Sequence, residues 1–207
     1  MIKRLVFDLD NTLIEWKDEY IYTFNNALKR LNLDYDEETI NKLNDVVDEY
    51  EDTHTIYTRE DFLKLLNERC NTNLPIEFID LLIEEQCKCF EYDKDLIDTI
   101  EYLSTKYELI CLTNWFTKTQ IERLKGAGIY KYFKKVTGGD EHILKPFEGS
   151  FDIIENKSEC IMIGDSLNKD IYPALKLGMK AILITNKDIK ENGFKVIRNI
   201  TELKEML

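Results

Sequence analysis

Two aspartates, Asp8 and Asp10, follow directly on the apolar run Leu5-Val6-Phe7 with one leucine between them. A short apolar run closed by turn-forming residues reads as a buried strand. In extended chain, alternate side chains share a face, so both carboxylates can address one site at the strand's end. Like charges held that close repel unless a cation joins them. A hard divalent cation such as Mg²⁺ together with a phosphoryl group makes the pairing useful. The plainer alternative is that Asp-Asn-Thr is only a turn. Further along, Thr113 with Asn114, Lys145, and Asp165 with Asp170 fall at or just beyond the ends of other apolar runs or in loops. A hydroxyl, loop N–H groups and one lysine suit phosphate oxygens. Carboxylates and a main-chain carbonyl suit Mg²⁺, and a carboxylate can also attack phosphorus as a covalent nucleophile.

These residues meet only if the strands before them run parallel and end at one rim. The pattern predicts that arrangement. From about residue 93, strands and helices alternate: helix over 94–104, strand from Tyr107 to Thr113, helix over 117–126, strand from Phe133 to Thr137. A brief helix around Phe151 to Ile154 follows, then a strand over Cys160 to Ile163, a helix from Asp170 to Leu177, strands at Ala181–Thr185 and Lys195–Ile197, and a terminal helix over 201–207. Alternation of this kind implies an α/β fold, a doubly wound parallel sheet covered on both faces. Between the first strand and residue 93 there is almost no strand signal. Apolar stripes at helical spacing run through Tyr20, Phe24, Ala27, Leu28 and Leu31, then Ile40, Leu43, Val46, Val47 and Tyr50, then Phe62, Leu63, Leu65 and Leu66, then Phe78, Ile79, Leu82, Ile83 and Phe90. They predict a small helical bundle inserted after the first strand, giving residues 1–14 and 93–207 as the α/β unit and 15–92 as the insertion.

Charge separates the same two parts. The chain of 207 residues carries a net charge of −12, and the segment from Glu15 to Tyr92 alone holds 20 acidic against 8 basic residues. The rest is neutral. An acidic surface repels nucleic acid and anionic membranes at long range, so neither is an expected partner. No stretch reaches the ~18 apolar residues of a membrane helix, and Asp8 and Asp10 interrupt the apolar run that a signal peptide would need. A cytoplasmic protein is expected. Its five cysteines are odd in number and contain no Cys-x-x-Cys pair, so they read as reduced structural thiols. Cys87 and Cys89 are expected on a helix. His54 and His142 lack metal-binding spacing and read as ordinary surface or loop residues.

Taken in order, four segments resemble the motifs of the haloacid dehalogenase superfamily: Asp8-Leu9-Asp10-Asn11-Thr12-Leu13, Leu112-Thr113-Asn114, Lys145-Pro146, and Gly164-Asp165-Ser166-Leu167-Asn168-Lys169-Asp170. The resemblance spans essentially the whole chain and implies that family's Rossmann-like core with an α-helical cap as the insertion. It implies a Mg²⁺-dependent phosphohydrolase acting on a small phosphorylated metabolite through an aspartyl-phosphate. In that scheme Asp8 attacks phosphorus, and Asp10 protonates the leaving group and then activates water. Thr113 and the amide of Asn114 hold phosphoryl oxygens, and Lys145 neutralises charge. Asp8, the main-chain carbonyl of Asp10 and Asp165 hold Mg²⁺, while Asp170 orients Lys145 or a metal-bound water. For Asp170 the plainer reading is an acidic residue favoured at a helix N-terminus.

The carboxylate at position 10 points to phosphoryl chemistry, because dehalogenating relatives release a halide that needs no proton, whereas an alkoxide benefits from a general acid. Phosphomutases share all four motifs and stay open. A phospho-accepting signalling domain also combines acids, Mg²⁺, Thr and Lys, but lacks the Asp-x-Asp turn and a large helical insertion. Trp16, Lys17 and Tyr20 sit just past the first motif, where they would face substrate, form a hinge or join the core. The acidic insertion offers few cations for extra phosphates, so the expected substrate is a small monophosphate ester with a neutral or polar leaving group. Only 19 residues separate Lys145 from Asp165, which puts the crossover helix there in doubt.

Overall fold

The computed structural model describes residues 1–190 and 192–207. Strands β1 (Arg4–Phe7), β2 (Glu108–Leu112), β3 (Phe133–Thr137), β4 (Cys160–Gly164), β5 (Lys180–Ile184) and β6 (Lys195–Ile197) form a parallel sheet in the order β3-β2-β1-β4-β5-β6. β1 lies inside the sheet, with β2 on one side and β4 on the other, so the winding reverses across it. In such sheets ligands bind outside the carboxyl ends of the strands at the reversal. The register brings those ends level: Phe7 is opposite Cys111 on β2 and Ile163 on β4.

Both faces are covered, which the pleat makes legible. Leu5, Phe7, Leu109, Cys111, Ile161 and Ile163 join one apolar core. Val6, Ile110, Leu112 and Met162 point the opposite way into a second. Helices α5 (Lys94–Ser104) and α6 (Thr117–Gly126) pack on the first face. The second is covered by α7 (Tyr172–Lys176) and by the Phe151–Ile154 segment. Each fully buried Leu or Phe contributes roughly 1.5–3 kcal/mol.

The segment between β1 and α5 is helical: α1 (Tyr22–Arg30), α2 (Glu37–Thr53), α3 (Arg59–Cys70) and α4 (Glu77–Gln86). Their stripes converge on a third core of Phe24, Leu28, Leu43, Tyr50, Phe62 and Phe78. Local signals fix the ends. Asp36 caps α2 by accepting from the Thr39 N–H at 2.8 Å, Thr58 caps α3 through the Asp61 N–H at 3.1 Å, and Asp93 caps α5. Asn32 and Asn71 take positive φ after α1 and α3, a conformation asparagine tolerates. This third core continues into the α/β unit through Trp115, Phe116 and Leu144, so the two parts share an apolar seam.

Four expectations need correction. Residues 151–154 are turns held by i→i+3 bonds, such as Ile154 N–H to the Phe151 carbonyl at 3.0 Å. With so short a crossover, Phe151 and Ile154 reach the sheet face without a helix. Cys87 and Cys89 lie past the end of α4, in the turn that returns to the sheet. The helix expected from Asp170 begins instead as a π-helical turn, Leu167–Ile171, that runs into α7. His142 is in a loop but is buried, its Nδ1 and Nε2 facing the Ile143 and Thr113 carbonyls at 2.6 and 3.0 Å. Burial pushes its pKa down against the pull of those two oxygens.

Candidate active site

Asp8, Thr113 and Asp165 follow the ends of three adjacent strands, and loops bring Lys145 and Asp170 to them. The Lys145 ammonium, only 2% exposed, donates to Asp8 Oδ1 at 2.8 Å and to Asp170 Oδ1. Asp170 in turn accepts the Ser166 N–H on Oδ2 at 3.1 Å. Its approach depends on Gly164, where a Cβ would lie 2.4 Å from the Asp170 carboxyl carbon. The π-helical turn is what aims this side chain back under the strand. Asp170 is thus a buried ion-pair partner of Lys145, and the helix-terminus reading is too weak for it.

Lys145 is gripped along its backbone as well. Asn114 Oδ1 accepts the Lys145 N–H at 2.8 Å, and Asn114 Nδ2 donates to the Lys145 carbonyl at 2.9 Å. The loop bearing Asn114 is pinned by Gly139, where a Cβ would sit 2.0 Å from the Asn114 carbonyl oxygen. Asn114 Nδ2 also reaches Glu51 Oε2 at 2.9 Å, and the same oxygen takes Lys169 Nζ at 2.7 Å. Glu51 comes from α2, so one carboxylate ties the inserted helices to two of the sheet's loops. Beside it, burial and then Glu51 push the Tyr57 hydroxyl well above its ordinary pKa.

Charge at this site is unbalanced. Burial, with the neighbouring Asp170, Asp165 and Asp10, pushes Asp8 up to about 8 against the pull of Lys145. Burial and Asp170 raise Asp165 to about 6. Burial alone would lower Lys145, but Asp170 and Asp8 outweigh it and push the lysine up, so it stays an ammonium. One cation does not balance that many carboxylates. Asp8, Asp165 and Asp170 each offer an oxygen, all within 4.8 Å of one another. Hard oxygen donors with excess negative charge fit a divalent cation of the Mg²⁺ type.

Asp10 faces a different set of partners. Its Oδ1 is ion-paired with the Arg123 guanidinium of α6, and its Oδ2 accepts from Gln120 Nε2 at 2.8 Å. Arg123 is fully buried; it also donates to the Cys89 carbonyl at 2.7 Å and lies 5.1 Å from the Trp16 ring centre. Trp16 lines the pocket, Tyr20 packs edge-on against it, and Lys17 pairs with Glu91. Glu51, Gln120, Arg123 and Lys169 were not among the expected site residues. A signal existed for two of them: α6 is buried yet has few apolar residues, so Gln120 and Arg123, one turn apart, had to satisfy each other or something nearby.

Above these groups lies a cavity of 490 Å³. Asp8, Asp10, Thr113, Asn114, Lys145, Asp165 and Asp170 line its floor, and Asn44, Asp48, Glu51 and Gln86 of the inserted helices line the opposite wall. All seven expected site residues therefore face one space. A parallel sheet with acids and a lysine at its reversal point defines a site suited to a divalent cation and an anionic ligand. Comparison with known proteins narrows that class. Residues 5–184 match the family model described as haloacid dehalogenase-like hydrolase. Glyceraldehyde 3-phosphate phosphatase of Methanothermobacter thermautotrophicus is 32% identical over 123 residues, 52% of this chain and 54% of that protein. N-acylneuraminate-9-phosphatase of Rattus norvegicus is 25% identical across 90% of this chain and 83% of its own length. Among solved structures, the putative HAD-hydrolase YfnB of Bacillus subtilis, bound to magnesium, superposes with a TM-score of 0.75 at 20% identity, covering 99% of this chain and 98% of that one. The chain belongs to the haloacid dehalogenase-like hydrolases.

Proposed function

We propose that this hydrolase is a Mg²⁺-dependent phosphatase of small phosphomonoesters working through an aspartyl-phosphate. The observation that carries the reading is the Lys145 ammonium bridging Asp8 and Asp170 at the base of a cavity that Asp10, Thr113 and Asp165 also line. Asp8 attacks phosphorus as the ester P–O bond breaks. Asp10 gives its proton to the departing alkoxide, then takes one from the water that cleaves the Asp8–phosphorus bond and releases phosphate. Thr113 and the Asn114 amide hold phosphoryl oxygens, and Lys145 offsets charge on the nucleophile and the transition state. Asp8, the Asp10 carbonyl and Asp165 would hold Mg²⁺, which supplies fixed positive charge against the phosphoryl oxygens. Asp170 keeps Lys145 aimed.

Residues 15–92 serve as a cap over a core of residues 1–14 and 93–207. Their wall supports a neutral or polar leaving group. Asp48 and Glu51 would repel a second phosphate, and Asn44 and Gln86 add neutral polar groups to the same wall. The test is phosphate release with Mg²⁺ across a broad panel of phosphorylated metabolites. Turnover of sugar or polyol monophosphates is expected. Better turnover of diphosphates and nucleoside triphosphates would overturn the leaving-group reading. Phosphoryl migration within a substrate, with no release, would reassign the chain to a mutase.

A further inference from the structure

We infer that Gln120 is a positioning residue that sets both the acid–base group and the phosphoryl-binding hydroxyl through a single amide nitrogen. Gln120 is fully buried beneath the cavity floor. Its Nε2 lies 2.8 Å from Asp10 Oδ2 and 2.8 Å from Thr113 Oγ1. Its Oε1 lies 2.9 Å from Arg123 Nη1. A guanidinium only donates, so the atom facing Arg123 is the amide oxygen and the two amide hydrogens must face Asp10 and Thr113. Arg123 thus fixes which way the amide is turned. It is itself fixed by the Cys89 carbonyl and the Asp10 carboxylate.

Two consequences follow for the reacting groups. Because Thr113 Oγ accepts from Gln120, its own hydrogen lies elsewhere on the oxygen and is available to a phosphoryl oxygen in the cavity. Because Asp10 Oδ2 is held by the same amide, the carboxyl is kept within a fixed distance of that hydroxyl. Proton transfer depends on such placement. The inference rests on the phosphatase reading above, in which Asp10 protonates the leaving oxygen as the P–O bond breaks.

The test is Gln120→Glu in the full-length chain with Mg²⁺. The variant keeps the shape and still accepts from Arg123, but replaces the donor with a carboxylate oxygen that repels Asp10 and draws in the Thr113 hydrogen. The measured quantity is kcat/KM, which reports the first phosphoryl transfer, for an alkyl phosphate and for p-nitrophenyl phosphate, whose leaving group departs without a proton. A positioned general acid is worth about 10²–10⁴-fold, so kcat/KM for the alkyl ester is expected to fall about 10²-fold. The aryl ester should fall at least tenfold less, and inhibition by inorganic phosphate should weaken. Gln120→Met is a second variant that removes donor and charge together and should show the same split. Equal losses on both esters, or none, in a folded variant would overturn the inference. Wild-type protein that releases phosphate from neither ester would instead overturn the phosphatase reading.

Discussion

Replacing Lys145 with Met is the perturbation that the charge arrangement speaks to most directly. Methionine fills nearly the same volume, so packing changes little. What disappears is, among the described residues, the only ammonium touching Asp8 and Asp170, both buried. Removing one partner of a buried ion pair costs about 3–5 kcal/mol. For a chain of this size, 1 kcal/mol moves the melting temperature by about 2–4 °C, so Lys145→Met should melt roughly 6–20 °C lower at pH 8 without divalent metal. The pH dependence has a definite sign. Asp8 sits at about 8 in the folded protein, against an ordinary value of 3.8. The folded state therefore binds the extra proton, and its contribution is lost as pH rises from about 4 through 8. Without Lys145 the carboxyl rises further, so the variant should lose more stability over that window than wild type does. Its deficit should shrink at pH 5. Millimolar Mg²⁺ should restore part of it by binding the folded cluster. Differential scanning calorimetry at pH 5 and pH 8, with and without Mg²⁺, measures all of this. A pH-independent difference below 2 °C would refute the claim that one ammonium compensates several buried acids.

Asp8→Asn should abolish phosphate release while keeping the fold. Because it removes one of the crowded carboxylates, its melting temperature in metal-free buffer should not fall below wild type. Mg²⁺ affinity should rise with pH between 6 and 8, since Asp8 and Asp165 must lose protons to bind it; calorimetric titration in buffers of different ionisation enthalpy should show about one proton released at pH 7, and pH-independent affinity would contradict this. Glu51→Gln should cost about 1–3 kcal/mol by leaving Lys169 without its carboxylate, and should raise KM more than it lowers kcat, as steady-state kinetics would register.

How much of this was legible depends on whether a feature is local. Helices α5 and α6 and strand β3 end where capping residues, glycines and apolar runs say they should. The meeting of Asp8, Thr113, Lys145 and Asp165 followed from strand parallelism, a topological inference that alternation supports. The Lys145-to-Asp165 crossover resisted because its turns answer to the sheet face beneath them and carry no period of their own. His142 is in a loop as expected, but an isolated histidine says nothing about burial, and two carbonyls that only the fold brings near decide its place. Glu51 was concealed by its surroundings. It sits one turn past Val47 on the inward side of α2, but within a segment so acidic that a solvated charge was the natural reading. In α6 the polar residues on a buried face were visible in the sequence, and their partner Asp10 lies 110 positions away from Gln120.

The charge of the cavity constrains the order in which ligands enter it. Seven carboxylates line it, from Asp8, Asp10, Asp18, Asp48, Glu51, Asp165 and Asp170, against two ammoniums, from Lys145 and Lys169. Lys169 is already taken by Glu51, and Lys145 by Asp8 and Asp170. A phosphate dianion entering this space meets more acids than unengaged cations. At an effective dielectric of 20, two like unit charges 4 Å apart repel by about 4 kcal/mol, and a dianion feels about twice that. The hydroxyl of Thr113 and a few N–H groups do not offset several such contacts. The ester alone should therefore bind weakly to metal-free protein, and tightly only once a divalent cation has joined Asp8 and Asp165 on the floor. The acidic wall opposite then acts on the leaving group alone, where it favours uncharged donors over a second anion.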